Sequence, residues 1–173
     1  NDDDLSITFD NAGEWELYFA VLLYTGLRAG DAAMLTYGNI DFSQKVITTL
    51  VRKSRRVHEF PLSNHLVSLI PKSKDDNEPL FPTLYVTKTN SVGEIVADER
   101  ILHYRIGIPR KRFQMILKEA DRPKATLHSF RVTFNNLLFA EKLSIEDRQS
   151  LMAHSSSKTT TVYTHPNLEL ARD

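Results

Sequence analysis

The stretch "LYFAVLLY", Leu17 to Tyr24, constrains the fold more than any other part of the chain. A helix of this composition is apolar on every side, not along one stripe, and such a helix is stable only where other elements cover it all round. It is also far too short to span a bilayer, which takes about 20 apolar residues. The sequence therefore predicts a buried helix over residues 12–24, ended by Gly26. At 173 residues, with 41% hydrophobic and 25% charged, the chain is long and apolar enough for one globular domain with a sizeable core.

Other segments read as follows. "DAAML" opens a further helix, with Asp31 as its N-cap. From Ile40 to Leu62 the chain is β-branched and is broken at "SQK" and at "KSRR", which predicts a three-stranded antiparallel meander. "SNHLVSLI" predicts a short helix capped by Ser63 or Asn64. Residues 71–98, with Pro71, Pro79 and Pro82 around "KSKDDNE", read as a surface loop. Phe113, Ile116, Leu117 and Ala120 keep helical spacing. "TLHSFRVTFNNLLFAEKL" predicts a helix with Phe130, Phe134, Leu137 and Leu138 on one stripe. "SIEDRQSLMAH" predicts another, in which Ser144 and Asp147 resemble a capping box. A last helix would hold Tyr163. The outline is mainly α with one small antiparallel three-stranded sheet.

The formal net charge is zero, but the charges are segregated. Residues 1–41 hold eight acids and one base, Arg28. Residues 45–74 hold seven bases against Glu59, and residues 100–131 hold nine against Glu119 and Asp121. A neutral total can thus conceal a cationic face, and phosphate binding needs only the face. Ordinary solvated charge is the competing reading. Cysteine is absent, which excludes disulfides, thiolate catalysis and Cys-containing zinc sites. No GxSxG elbow, Walker loop or HExxH is present, and no spaced carboxylate cluster suggests a magnesium-dependent nuclease. No charged-then-apolar leader opens the chain, and Asn1 stands where a complete protein would carry Met.

Four stretches could carry chemistry. In "HSFR", His128 and Arg131 are three apart and share a helix face. Arg offers a planar fork of donors to phosphate oxygens, and His exchanges a proton near neutral pH. An ordinary surface pair fits the same two residues. In "TGLRAGD", Arg28 follows the Gly that ends the buried helix. It needs a counter-charge, either Asp31 in a salt bridge or a bound anion. "RKSRR" lies at a turn between two strands, where Lys53 could project into a groove or simply be solvated like Arg52, Arg55 and Arg56. In "HSSSKTTTVYTH", Tyr163 stands behind Ser and Thr residues, between His154 and His165.

The order and spacing of "YTGLRAGDAAML", "RKSRRVHEFPL", "TLHSFRVTF" and "LMAHSSSKTTTVYTH" resemble the tyrosine recombinase family of the phage-integrase type. That family has an arginine in GLR-x-x-E/D, a lysine in a β-hairpin, an HxxR helix, a His or Trp after Leu-Gly, and a tyrosine nine residues later. The resemblance runs from about Tyr24 to His165 and implies Arg28, Lys53, His128, Arg131, His154 and Tyr163 as the catalytic set. Asp31 stands where the family more often has Glu, and Ala153 where it has Gly.

The resemblance implies the tyrosine recombinase catalytic-domain fold over residues 1–173. It implies cleavage and rejoining of double-stranded DNA through a 3′-phosphotyrosyl link, without metal or nucleotide. It also implies a homo-tetramer on DNA, a nucleoid-associated cytoplasmic location and no membrane. The family's separate N-terminal DNA-binding domain is expected to be absent from this chain. A type IB topoisomerase-like relaxing enzyme shares the nucleophile chemistry, and a catalytically silent DNA-binding module is the reading from another class. Thr159, Thr160, Thr161 and Val162 are poor helix formers, so the segment carrying Tyr163 is expected to be marginally helical and free to swing its nucleophile in and out.

Overall fold

The computed structural model describes residues 2–73 and 75–152. The chain opens with α1 (Asp2–Asp10), a 3-10 turn (Gly13–Trp15), α2 (Glu16–Thr25) and α3 (Ala29–Ala33). A sheet follows, made of β1 (Ile40–Asp41), β2 (Val46–Val51) and β3 (Arg56–Pro61), then α4 (Asn64–Leu69). After a hairpin of β4 (Thr87–Thr89) and β5 (Ile95–Ala97) come α5 (Glu99–Glu119), α6 (His128–Ala140) and α7 (Ile145–Leu151). The larger sheet has the order β1-β2-β3 and is antiparallel throughout, with Ile47 opposite Phe60 and Val51 opposite Arg56. The mainly α outline and the three-stranded meander expected from the sequence are both present. Among the described residues no helix is long and apolar enough to cross a membrane.

Helix α2 is the centre of the molecule. Tyr18, Phe19, Ala20, Val21, Leu22 and Leu23 are all buried, and α3, α4 and α6 pack around them. Phe19 stacks on Phe130 of α6 at 5.3 Å between ring centroids, and Phe113 of α5 closes against Phe130 at 4.8 Å. The three rings bind α2, α5 and α6 into one core. Tyr18 is buried beside Phe19, edge-on to Phe81. Burial raises its hydroxyl pKa well above the usual phenol range, so it stays protonated and donates to the Ala29 carbonyl at 2.9 Å.

Several expectations are corrected. Asp31 is not an N-cap: Arg28 holds that position with extended backbone, and Asp31 lies inside α3, buried. It accepts instead from Arg52 in the turn after β2, a charged donor and a stronger partner than a backbone N–H. Ser63, not Asn64, caps α4, accepting from the Leu66 N–H at 3.1 Å.

The segment 71–98 is more than a surface loop. Leu80, Phe81 and Leu84 are core residues, and the Leu80 N–H donates to the Leu35 carbonyl. The segment also contains the β4–β5 hairpin, whose three-residue, largely exposed strands leave no alternating pattern to read. Helix α5 begins well before Phe113 and runs through Pro109. On α6, Phe130, Phe134 and Leu138 are buried as expected, but Leu137 is 43% exposed, and Arg131 and Asn135 share the buried face. Ser144 caps α7 by accepting from the Asp147 N–H, while the Asp147 carboxylate accepts from the Ser144 hydroxyl, not from its backbone. The expected helix around Tyr163 lies outside the described residues.

Two glycines should respond to Ala in opposite directions. Gly26 has φ +64°, and a Cβ there would come within 2.3 Å of Phe134 Cδ1. Gly26→Ala should lower stability by about 2 kcal/mol or more, combining left-handed strain with overpacking. Gly107 lies within α5 with open space where a Cβ would go. Gly107→Ala should raise stability by about 0.5–1 kcal/mol. Urea midpoints at unchanged slope measure both.

Candidate active site

The segment joining α2 to α3 carries Arg28 and is tied down at nearly every residue. The Gly26 N–H donates to the Leu22 carbonyl, closing α2 with a left-handed residue. The Leu27 N–H donates to Thr25 Oγ1 at 3.1 Å, and Thr25 Oγ1 donates to the Val21 carbonyl. The Arg28 carbonyl accepts from the Ala32 N–H, the first bond of α3, and the Ala29 carbonyl accepts from Tyr18. Arg28 is therefore held by its backbone, while its side chain is half-buried with no ion pair among the described residues. The salt bridge to Asp31, one of the two partners open from sequence, does not form, because Asp31 is taken by Arg52.

Helix α6 supplies His128 and Arg131. Arg131 is buried at 4% exposure, and its guanidinium donates from Nη1 to the Gly26 carbonyl and from Nη2 to the Met152 carbonyl. It thereby ties α6 to the ends of α2 and α7. His128 is the first residue of α6 and is exposed overall, though its ring is partly desolvated. That desolvation, followed by the positive charges of Arg131 and then Arg28, pushes its pKa below the usual histidine value. A neutral imidazole can accept a proton, so this environment suits a base. Both arginines thus act on His128, and the Arg131 bond to the Gly26 carbonyl, two residues before Arg28, links the two segments directly.

The β2–β3 turn brings the third cation. Residues 52–55 form the turn, closed by bonds from the Ser54 and Arg55 N–H groups to the Val51 carbonyl. Lys53 is exposed and lines an open depression with Arg28, Gly30, Asp31, Arg52 and Glu99. Its neighbour Arg52 is occupied: Nε donates to Asp31 Oδ1 at 2.9 Å and Nη1 to Glu99 Oε1. Arg55 and Arg56 are exposed and do not line the depression. The four basic side chains of "RKSRR", alike in sequence, are thus separated by their surroundings.

Arg28, His128 and Arg131 are brought together, and Lys53 shares the Arg28 depression. His154 and Tyr163 lie outside the described residues; the last residue that Arg131 is seen to hold, Met152, is two positions before His154. Sequence reasoning passed over Gly26 and Met152, whose carbonyls anchor Arg131, and the Arg52–Asp31 pair. Only the Gly of "TGLR" could have pointed to the first, and no local pattern marks the others. Among the described residues no three His, Asp or Glu side chains form a group that could hold a metal ion.

Comparison with known proteins adds a frame. The phage integrase family matches residues 9–169. The chain is 26% identical to a probable integrase/recombinase of Acholeplasma phage L2 over 91% of this chain and 50% of that protein. It is 27% identical to the tyrosine recombinase XerD of Neisseria meningitidis serogroup B over 83% of this chain and 48% of that protein. The chain thus spans about half the length of the curated relatives it matches. In three dimensions it is similar to the catalytic domain of bacteriophage HP1 integrase, with a TM-score of 0.66, 21% identity, and coverage of 94% of this chain and 84% of that one. The fold is that of tyrosine recombinase catalytic domains.

The depressed His128 pKa has a measurable sign. Both arginines lower it by disfavouring the imidazolium, so removing one must raise it. Arg28→Ala should move the His128 titration, followed by NMR of its ring protons without DNA, to higher pH than in the wild type. In the wild type the midpoint should lie below about 6.5. Because the folded-state pKa is lowered, His128 should cost stability as pH falls through the unfolded-state value, and Arg28→Ala should lessen that loss.

Proposed function

The chain belongs to the phage integrase family, and on that premise we propose that it is the catalytic part of a site-specific DNA recombinase. The observation that supports this best is the clustering of Arg28 and Arg131 around His128, with Lys53 in the same depression as Arg28. Two arginines and a lysine offer cations to a phosphodiester and its leaving group, and a histidine whose pKa is lowered is available to accept a proton.

In the proposed reaction, the Tyr163 hydroxyl attacks the scissile phosphorus. A free phenol loses its proton near 10, so it needs a base at neutral pH. His128 takes that proton. As the new P–O bond forms, charge grows on the nonbridging oxygens, and Arg28, Arg131 and His154 stabilise it. Arg28 has no ion pair among the described residues, and Arg131 is fixed in advance by the Gly26 and Met152 carbonyls. The bond from phosphorus to the 5′-oxygen breaks, and that oxygen takes a proton from Lys53. The products are a 3′-phosphotyrosyl link and a free 5′-hydroxyl. A 5′-hydroxyl from a second DNA end reverses the step, so the bond energy is conserved.

DNA is the substrate in this reading, bound mostly through its phosphates by the two basic segments. Residues 1–173 act as one catalytic domain. Four copies assemble on DNA to exchange strands, in a cytoplasmic, nucleoid-associated setting.

A nicked DNA duplex, selected from a random-sequence pool by covalent capture on the wild-type protein, tests the proposal. A protein–DNA adduct should form with the wild type and be absent with Tyr163→Phe; an adduct that persists in that variant removes Tyr163 from the role. Binding of the same DNA should weaken steeply with salt, with a log–log slope of about −0.9 per phosphate neutralised. Plasmid relaxation with no strand exchange would assign the chain to DNA relaxation instead.

A further inference from the structure

Arg52 precedes Lys53 and is seated on three sides. Its Nε and its backbone N–H both face Asp31 Oδ1, at 2.9 Å and 3.4 Å. Its Nη1 donates to Glu99 Oε1, on the first residue of α5. Gly30 forms the floor, since a Cβ at that position would come within 2.1 Å of Arg52 Nη2. One guanidinium thus joins the turn between β2 and β3 to both α3 and α5. The Asp31 side chain is 3% exposed and that of Glu99 69%, so the inner anchor is shielded and the outer one screened by water. Lys53 itself makes no hydrogen bond or ion pair among the described residues, and the turn that carries it sets where its ammonium lies.

We propose that Arg52 is a positioning residue: locked between Asp31 and Glu99 over Gly30, it fixes the turn that presents Lys53 beside Arg28. The proposal rests on the reading of Lys53 as proton donor to the leaving 5′-oxygen. Its geometric basis is a short path. Arg28 and Asp31 are three positions apart at the start of α3, and Arg52 and Lys53 are adjacent, so the Asp31–Arg52 bridge sets the spacing between the cation that grips the phosphate and the acid that protonates the leaving group. Glu99 removes the remaining freedom of the guanidinium to swing away. An acid misplaced by about 1 Å costs on the order of 100-fold in rate.

Replacing the 5′-oxygen with sulfur isolates this step. A thiol loses its proton near 8.5, so a 5′-thiolate leaves without a proton donor, whereas an alkoxide does not. Adduct formation is measured on the captured nicked duplex with oxygen or sulfur at the bridging 5′ position. With oxygen, Lys53→Ala should slow cleavage by about 10²–10⁴-fold. Arg52→Ala should slow it by about 10–100-fold, and Glu99→Ala less. With sulfur, all three should approach the wild-type rate.

If sulfur rescues Lys53→Ala but not Arg52→Ala, Arg52 does not act through Lys53 and the inference falls while the role of Lys53 stands. If Lys53→Ala is not rescued, the reading of Lys53 falls, and the inference with it. A DNA-free measurement stands beside these. Hydrogen exchange at the Ser54 and Arg55 amides, which close the turn on Val51, should accelerate in Arg52→Ala and Glu99→Ala. Unchanged exchange in both variants overturns the proposal without reference to DNA.

Discussion

The two hydrogen bonds from the Arg131 guanidinium hold the candidate site together. They end on the carbonyls of Gly26 and Met152, where α2 and α7 terminate. Helix C-termini leave carbonyls without intrahelical donors and carry the negative end of the backbone dipole. One buried cation answers two such ends. The charge in turn survives burial because it is hydrogen-bonded; an ionised group taken from water without partners costs far more than a fold of this size can spare. His128 lies one turn earlier on the same helix, so the interaction that closes the fold also sets the place of the imidazole.

Each cation of the site is held by a different device. Arg28 is placed by backbone bonds and by the Tyr18 hydroxyl on the following residue, which leaves its side chain unpaired among the described residues. Arg131 is placed by its own side chain. Lys53 is placed at one remove, through a turn whose first residue is gripped by Asp31 and Glu99. Asp31 and the residues whose carbonyls hold Arg131 are buried, while Lys53 and His128 are exposed. Asp31 and Glu99, the acids of the depression, are both engaged by Arg52, so among the described residues Arg28 and Lys53 keep their positive charge for an anion such as a phosphate.

The legible parts of the fold were those governed by local patterns. All-round apolarity identified α2, β-branched runs broken by turns identified β1 to β3, and Ser144 marked the start of α7. The parts that escaped depend on partners distant in sequence. Asp31 has the composition of a cap, yet a turn residue 21 positions away takes it. The β4–β5 hairpin is too short and too exposed to alternate. Leu137 looked like a core residue because periodicity cannot show that Arg131 and Asn135 occupy the buried face in its place.

The same limit applied to the site. His128 and Arg131 drew notice as a pair one helical turn apart and Arg28 by its place after the buried helix, but for each an ordinary structural role fitted equally until the order of the motifs was considered. Nothing local distinguished Lys53 from Arg52, because the difference is made by Glu99, 47 residues away.

The span of the Arg131 contacts also bears on how the chain comes into being. Its partner Gly26 is 105 residues back and Met152 is 21 ahead. Closing a loop of that size demands entropy that only completed packing returns. Helix α2 needs α6 against it, so neither the core nor the gathering of the cations is complete until α6 and α7 have been made. The arrangement of cations is therefore a property of the finished domain, and a chain that stops before Met152 lacks one of the two carbonyls that hold Arg131.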